Sequence, residues 1–130
     1  MTRMIFVNLP VADLEASKAF YAALGFANNP QYTDDTAACM VLSDTIFVML
    51  LTKEKFSSFS PNPVSDAHKV TEVLNAISCD TREEVDALVR TAVAEGGRTY
   101  STPKDYGFMY QHGFQDPDGH VWELVYMQAE

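Results

Sequence analysis

The chain has 130 residues, 47% of them apolar and 21% charged, with a formal net charge of −9. That length supports one compact domain with its own core, and the composition is globular rather than disordered. The acidic balance, with no stripe of Lys or Arg, excludes binding to a phosphate backbone and disfavours anionic membranes, since both need clustered cations.

No apolar run reaches membrane-spanning length, and the N-terminus lacks the apolar stretch of a secretory signal, so a cytoplasmic location is expected. Cys39 and Cys79 each sit in an apolar run, without a second cysteine at metal or redox spacing. They read as small buried hydrophobes.

In chain order, Arg3 to Pro10 reads as a strand with Ile5, Val7 and Leu9 on one face and Phe6 and Asn8 on the other. Asp13 offers an N-cap to a helix carrying Leu14, Ser17, Phe20, Tyr21 and Leu24, which Gly25 stops. Pro30 to Ser43 reads as one or two short strands, and Thr45 to Thr52 as another, with Asp44 in the turn. Lys53 to Phe59 predicts a short helix bearing Phe56 and Phe59, followed by a Ser/Pro/Asn linker.

A second unit repeats that order. Glu72 to Asp80 reads as a strand, and Thr81-Arg82-Glu83-Glu84 as a capping box. Val85, Leu88, Val89, Ala92 and Val93 supply a helical apolar face that ends at Gly96-Gly97. Strands are expected at Arg98–Pro103, Gly107–Gln115 and His120–Met127, with Asp116-Pro117-Asp118-Gly119 closing the last pair into a hairpin. Each half must bury its helix against one face of its strands. The other faces are left free, and side by side they would make a cup. The expected fold class is therefore α+β: one domain of two βαβββ modules, residues 1–60 and 70–130, forming a cupped mixed sheet.

The segment Phe6 to Tyr21 (FVNLPVADLEASKAFY), running on to Leu24-Gly25-Phe26, resembles the opening of the vicinal oxygen chelate superfamily. Phe114 to Leu124 (FQDPDGHVWEL) is similar to that superfamily's final hairpin. The superfamily includes glyoxalase I, extradiol dioxygenases and the bleomycin- and fosfomycin-resistance proteins. The closest resemblance is to a branch labelled lactoylglutathione lyase by similarity. Its metal enzymes carry four ligands on the cupped face, and the resemblance places those positions at Phe6, Met49, Leu74 and Glu123. Phe and Leu cannot ligate a cation, and a thioether suits a hard one poorly. No metal and no other cofactor is therefore expected.

Glu123, between Trp122 and Leu124, is a candidate polar anchor or general base, against a locally satisfied carboxylate. His112 shares a strand face with Tyr110 and Phe114, either as an acid–base group or as a packing histidine. On adjacent strands the two could form a catalytic pair. Asn8 is a candidate hydrogen-bonding residue, and Phe6, Met49, Phe56, Phe59, Tyr106, Met109 and Tyr110 are candidates for an apolar ligand lining, with core packing as the alternative. His68 and His120 fall in linker and turn. The leading expectation is a small-molecule-binding protein that works without metal. The alternative is a lyase-like or dioxygenase-like enzyme using Glu123 and His112. A homodimer is expected, because single-chain members of the superfamily commonly pair to complete each cup.

Overall fold

The computed structural model describes residues 2–128. It divides into two compact units, residues 1–65 and 66–130. The first contains β1 (Ile5–Val11), α1 (Leu14–Ala23), β2 (Ala27–Asn29), a 3-10 turn (Pro30–Tyr32), β3 (Ala37–Val41), β4 (Ile46–Thr52) and α2 (Lys53–Phe59). The second contains β5 (Asn75–Ser78), α3 (Arg82–Ala94), β6 (Lys104–Asp105), β7 (Met109–Gln115) and β8 (Val121–Met127).

The repeat seen in the sequence is a repeat of connectivity. Each unit has a four-stranded mixed sheet, ordered β1-β4-β3-β2 in the first and β5-β8-β7-β6 in the second. In each, the first strand runs parallel to the last, and the remaining pairs are antiparallel. The strand–helix crossover makes the parallel pair, because parallel strands need a long connection while antiparallel ones need only a turn. The architecture is α+β, as the alternation of periods predicts.

Both long helices start where the sequence places a cap. Asp13 accepts the N–H of Ala16 at 3.0 Å to start α1, and Gly25, at φ +99°, lets the chain leave it. Thr81 accepts the N–H of Glu84 at 3.0 Å to start α3. Glu84 in return takes the N–H of Asp80 at 2.7 Å, one residue earlier than a reciprocal capping box has it. α1 buries Ser17, Phe20 and Tyr21, and α3 buries Val85, Val89 and Ala92. Against them stand alternate strand residues: Leu9, Val11, Val48, Leu50, Ala38 and Met40 in the first unit, Phe114, Trp122 and Leu124 in the second.

Several boundaries differ from the sequence reading. Asn29 accepts the N–H of Gln31 and Pro30 opens a 3-10 turn, so the strand expected from Pro30 begins only at Ala37. β5 starts at Asn75, which leaves Leu74 outside the strand and 58% exposed. The strand expected over Arg98–Pro103 reduces to a single bridge between Arg98 and Gln115. Pro103 has no N–H to give a ladder, and the Thr99 hydroxyl, not a backbone amide, reaches Gly113 O at 2.8 Å. The hairpin loop holds by Asp116, whose carboxylate accepts the N–H groups of Asp118 and His120 at 3.0 and 2.9 Å. Cys39 and Cys79 are free and buried. Among the described residues no helix is long and apolar enough to cross a membrane.

Candidate functional site

In the first unit, α1 covers one face of the sheet and leaves the other to α2. The ladder Phe6↔Phe47, Asn8↔Met49, Pro10↔Leu51 puts Phe6, Asn8 and Met49 together on that second face. Phe6 stacks on Phe47 with ring centroids 4.9 Å apart and planes 12° apart. Thr52 caps α2 by accepting the N–H of Lys55 at 3.2 Å, and this swings Phe56 and Phe59 over the sheet. Together with Asn8, Leu51, Ser60 and Pro61 they enclose about 550 Å³. The Asn8 amide N–H donates to Phe6 O at 3.2 Å, so one of its donors is held by its own strand. Asn8, Phe56 and Phe59 are thus brought together, with Phe6 and Met49 on the same face.

In the second unit the β7–β8 register decides which residues meet. Gly113 stands opposite Glu123, and His112 opposite Leu124. Side chains alternate across a pleated sheet, so Glu123 and His112 point to opposite faces. The catalytic pair expected from the sequence does not form. Tyr110 goes with His112: its hydroxyl donates to Asp86 of α3 at 2.7 Å, and the Arg82 guanidinium lies 5.0 Å from its ring centroid. That hydrogen bond and burial push the Tyr110 phenol up to about 12. Tyr110 is therefore on the helix-covered face, away from Glu123. Tyr106 is exposed in the turn between β6 and β7, while Met109 is opposite Met127 on the Glu123 side.

What surrounds Glu123 is a polar cluster. Gln111 donates its amide N–H to one Glu123 carboxylate oxygen at 2.9 Å. Tyr100 sits over Gly113, and a cavity of about 170 Å³ is lined by Tyr100, Ser101, Thr102, Lys104, Gln111, Gly113 and Glu123, with His112 also at its wall. Burial pushes the Tyr100 phenol pKa up, and the Glu123 charge adds to it. One carboxylate, one lysine and the neutral hydrogen-bonding side chains of Tyr100, Ser101, Thr102 and Gln111 thus border a space the size of a small fragment. Tyr100, Lys104 and Gln111 went unanticipated in the sequence reading. The signal for Gln111 was parity, since residues an even number apart across an unbulged hairpin of this loop length share a face.

The four positions that the superfamily resemblance assigns to metal do not fit a catalytic divalent ion. Phe6 and Met49 come from the first unit, Leu74 and Glu123 from the second. They supply one carboxylate and one soft thioether, where such a site takes about three protein ligands. The carboxylate is already in use by an amide donor. Among the described residues no three His, Cys, Asp or Glu side chains gather at one point.

Comparison with known proteins places this architecture. Residues 3–124 match the family model described as the glyoxalase/bleomycin resistance protein/dioxygenase superfamily. The structure of SA1046 from S. aureus is 30% identical, with a TM-score of 0.80, covering 97% of this chain and 95% of that one. A glyoxalase/bleomycin resistance protein/dioxygenase family enzyme from Burkholderia phytofirmans PsJN has a TM-score of 0.80 at 22% identity, covering 98% and 100%. The bleomycin resistance determinant encoded on transposon Tn5 has a TM-score of 0.67 at 19% identity, covering 98% and 100%. These last two likenesses show the fold alone. No curated protein matches the chain. The chain belongs to the glyoxalase/bleomycin resistance protein/dioxygenase superfamily.

Proposed function

We propose that this protein binds a small organic molecule on the open faces of its sheets, without a metal ion, as one cytoplasmic domain. Glu123 is the polar anchor, and the observation that carries the reading is its hydrogen bond to Gln111 beside Tyr100 and Gly113. Carboxylate oxygens accept hydrogen bonds, so Glu123 suits a ligand hydroxyl or N–H. In the first unit, separately, Phe56 and Phe59 border an apolar pocket of the kind small ligands use. Small-molecule binding without chemistry is the role of a resistance or sensor module. The enzyme alternative built on Glu123 and His112 loses its geometry, because the two residues are on opposite faces.

Native mass spectrometry of freshly purified, untagged protein, with elemental analysis, tests this. The expected result is an organic adduct in the wild type that is absent from Glu123→Ala, with metal well below stoichiometric. No turnover of the methylglyoxal–glutathione hemithioacetal is expected. Near-stoichiometric divalent metal that disappears in Glu123→Ala would overturn the proposal and restore a metal lyase.

A further inference from the structure

A second cavity lies on the other side of the β7 strand. It measures about 620 Å³, inside the roughly 300–1,000 Å³ range of small-molecule sites. Its walls are Val89, Val93 and Ala94 of α3 together with Pro103, and its floor is His112 of β7. The local sequence makes the opening. β6 is only two residues long, so no strand runs beside β7 where the Thr99–Pro103 segment passes, and α3 overhangs the gap.

Two features of this cleft are not explained by packing. His112 is 9% exposed, and among the described residues its Nδ1 has no hydrogen-bond partner and is itself sealed from solvent, so it is the rest of the imidazole ring that faces the cleft. Val93, on the apolar side of α3, is 47% exposed because the cleft leaves it uncovered. The charged groups nearby do not ask for a charged ligand. The Asp86 carboxylate accepts the Tyr110 hydroxyl at 2.7 Å, and Arg90 is exposed at the rim.

We propose that the cleft between α3 and β7 is a binding site for a small uncharged molecule with an apolar ring and one hydroxyl group. The ring covers Val89, Val93 and Pro103, and the hydroxyl pairs with the His112 imidazole. A hydroxyl both donates and accepts, so it satisfies a neutral imidazole in either tautomer. An ammonium in its place would find the Asp86 carboxylate already accepting the Tyr110 hydroxyl. The desolvation that pushes His112 down keeps the ring neutral at physiological pH. His112 also touches the Glu123 cavity, but its side chain and that of Glu123 point to opposite faces of the sheet.

Phenol is the probe and toluene its control. Titration is followed through the ring signals of His112, which two other histidines, His68 and His120, bracket as references. The expected result is a saturable shift of His112 with phenol and none at His68 or His120. Ala94→Trp, at an exposed position on the cleft wall, fills the space and is expected to abolish the shift. His112→Leu, followed through the methyl signals of Val89 and Val93 because it has no imidazole to read, is expected to weaken phenol about five-fold while leaving toluene unchanged, the size of one lost hydrogen bond. An unmoved His112 at saturating phenol, or unchanged phenol affinity in Ala94→Trp, overturns the proposal. So does a His112→Leu protein that loses phenol and toluene alike. Should His112→Leu fail to fold, the Ala94→Trp comparison decides alone.

Discussion

Gly113 faces Glu123 directly across the β7–β8 ladder, and the space its missing side chain leaves is filled by the ring of Tyr100. A Cβ on residue 113 would come within 2.8 Å of Tyr100 Cζ and 2.9 Å of Trp122 O. The second contact is backbone and cannot swing away. Gly113→Ala is therefore expected to cost about 1–3 kcal/mol, the usual penalty of overpacking, although Ala ordinarily improves on Gly within a strand. Urea denaturation measures it. In a Tyr100→Ala background the cost should shrink, and an unchanged cost would mean that Trp122 O alone sets it.

Gln111 and Glu123 should be energetically coupled. A double-mutant cycle with Gln111→Leu and Glu123→Leu is expected to give about 1 kcal/mol, since the carboxylate is partly exposed and solvent screens it. A coupling indistinguishable from zero would show that the pair does not hold Glu123 in place.

Stability should fall as the solution is acidified below about pH 6.5, and His112 is the cause. Burial pushes its pKa below the ordinary histidine value of 6.5, while Asp86 pulls the other way more weakly. The unfolded chain then binds a proton the folded chain refuses, so stability rises with pH through that window and is lost on the way down. The lowered carboxylates Asp34 and Asp105 act only below the ordinary aspartate value of 3.8, and do not overlap with it. The urea midpoint between pH 7.5 and pH 5.5 is expected to drop less in His112→Gln than in wild type. An equal drop assigns the effect elsewhere.

Arg82 ties the β6–β7 turn to α3. Its guanidinium donates to Asp105 at 2.7 Å, reaches Gly107 O at 3.4 Å, and lies over the rings of Tyr110 and Tyr126. The Arg82–Asp105 ion pair is open to solvent, so removing it should loosen the turn more than the fold. Arg82→Ala is expected to speed amide exchange at Tyr106, whose N–H bonds Met109 O at 2.8 Å, with the global urea midpoint nearly unchanged.

The chain is expected to sediment as a dimer at micromolar concentration. Apolar side chains at the open sheet faces and edges, including Ile5, Phe6, Leu74 and Met127, remain exposed in a single chain. A monomer across that range would remove dimer formation as an explanation for their exposure.

The sequence alone determined the two α+β units, the caps at Asp13 and Thr81, the hairpin at Asp116–Gly119 and the face shared by Phe6 and Asn8. All of these rest on local rules: a side-chain oxygen within three residues of a free amide, or a period of two along one strand. The superfamily was also legible, because its opening and closing segments are contiguous. Only the tertiary structure decided which side of the sheet Glu123 and His112 occupy, since that depends on the register of two strands across a five-residue loop, where one step reverses every side chain. The same holds for Tyr100, which reaches Gly113 from a segment that pairs with β7 at a single point. A residue placed by its neighbours in space, rather than by its neighbours in sequence, leaves no periodic trace to read.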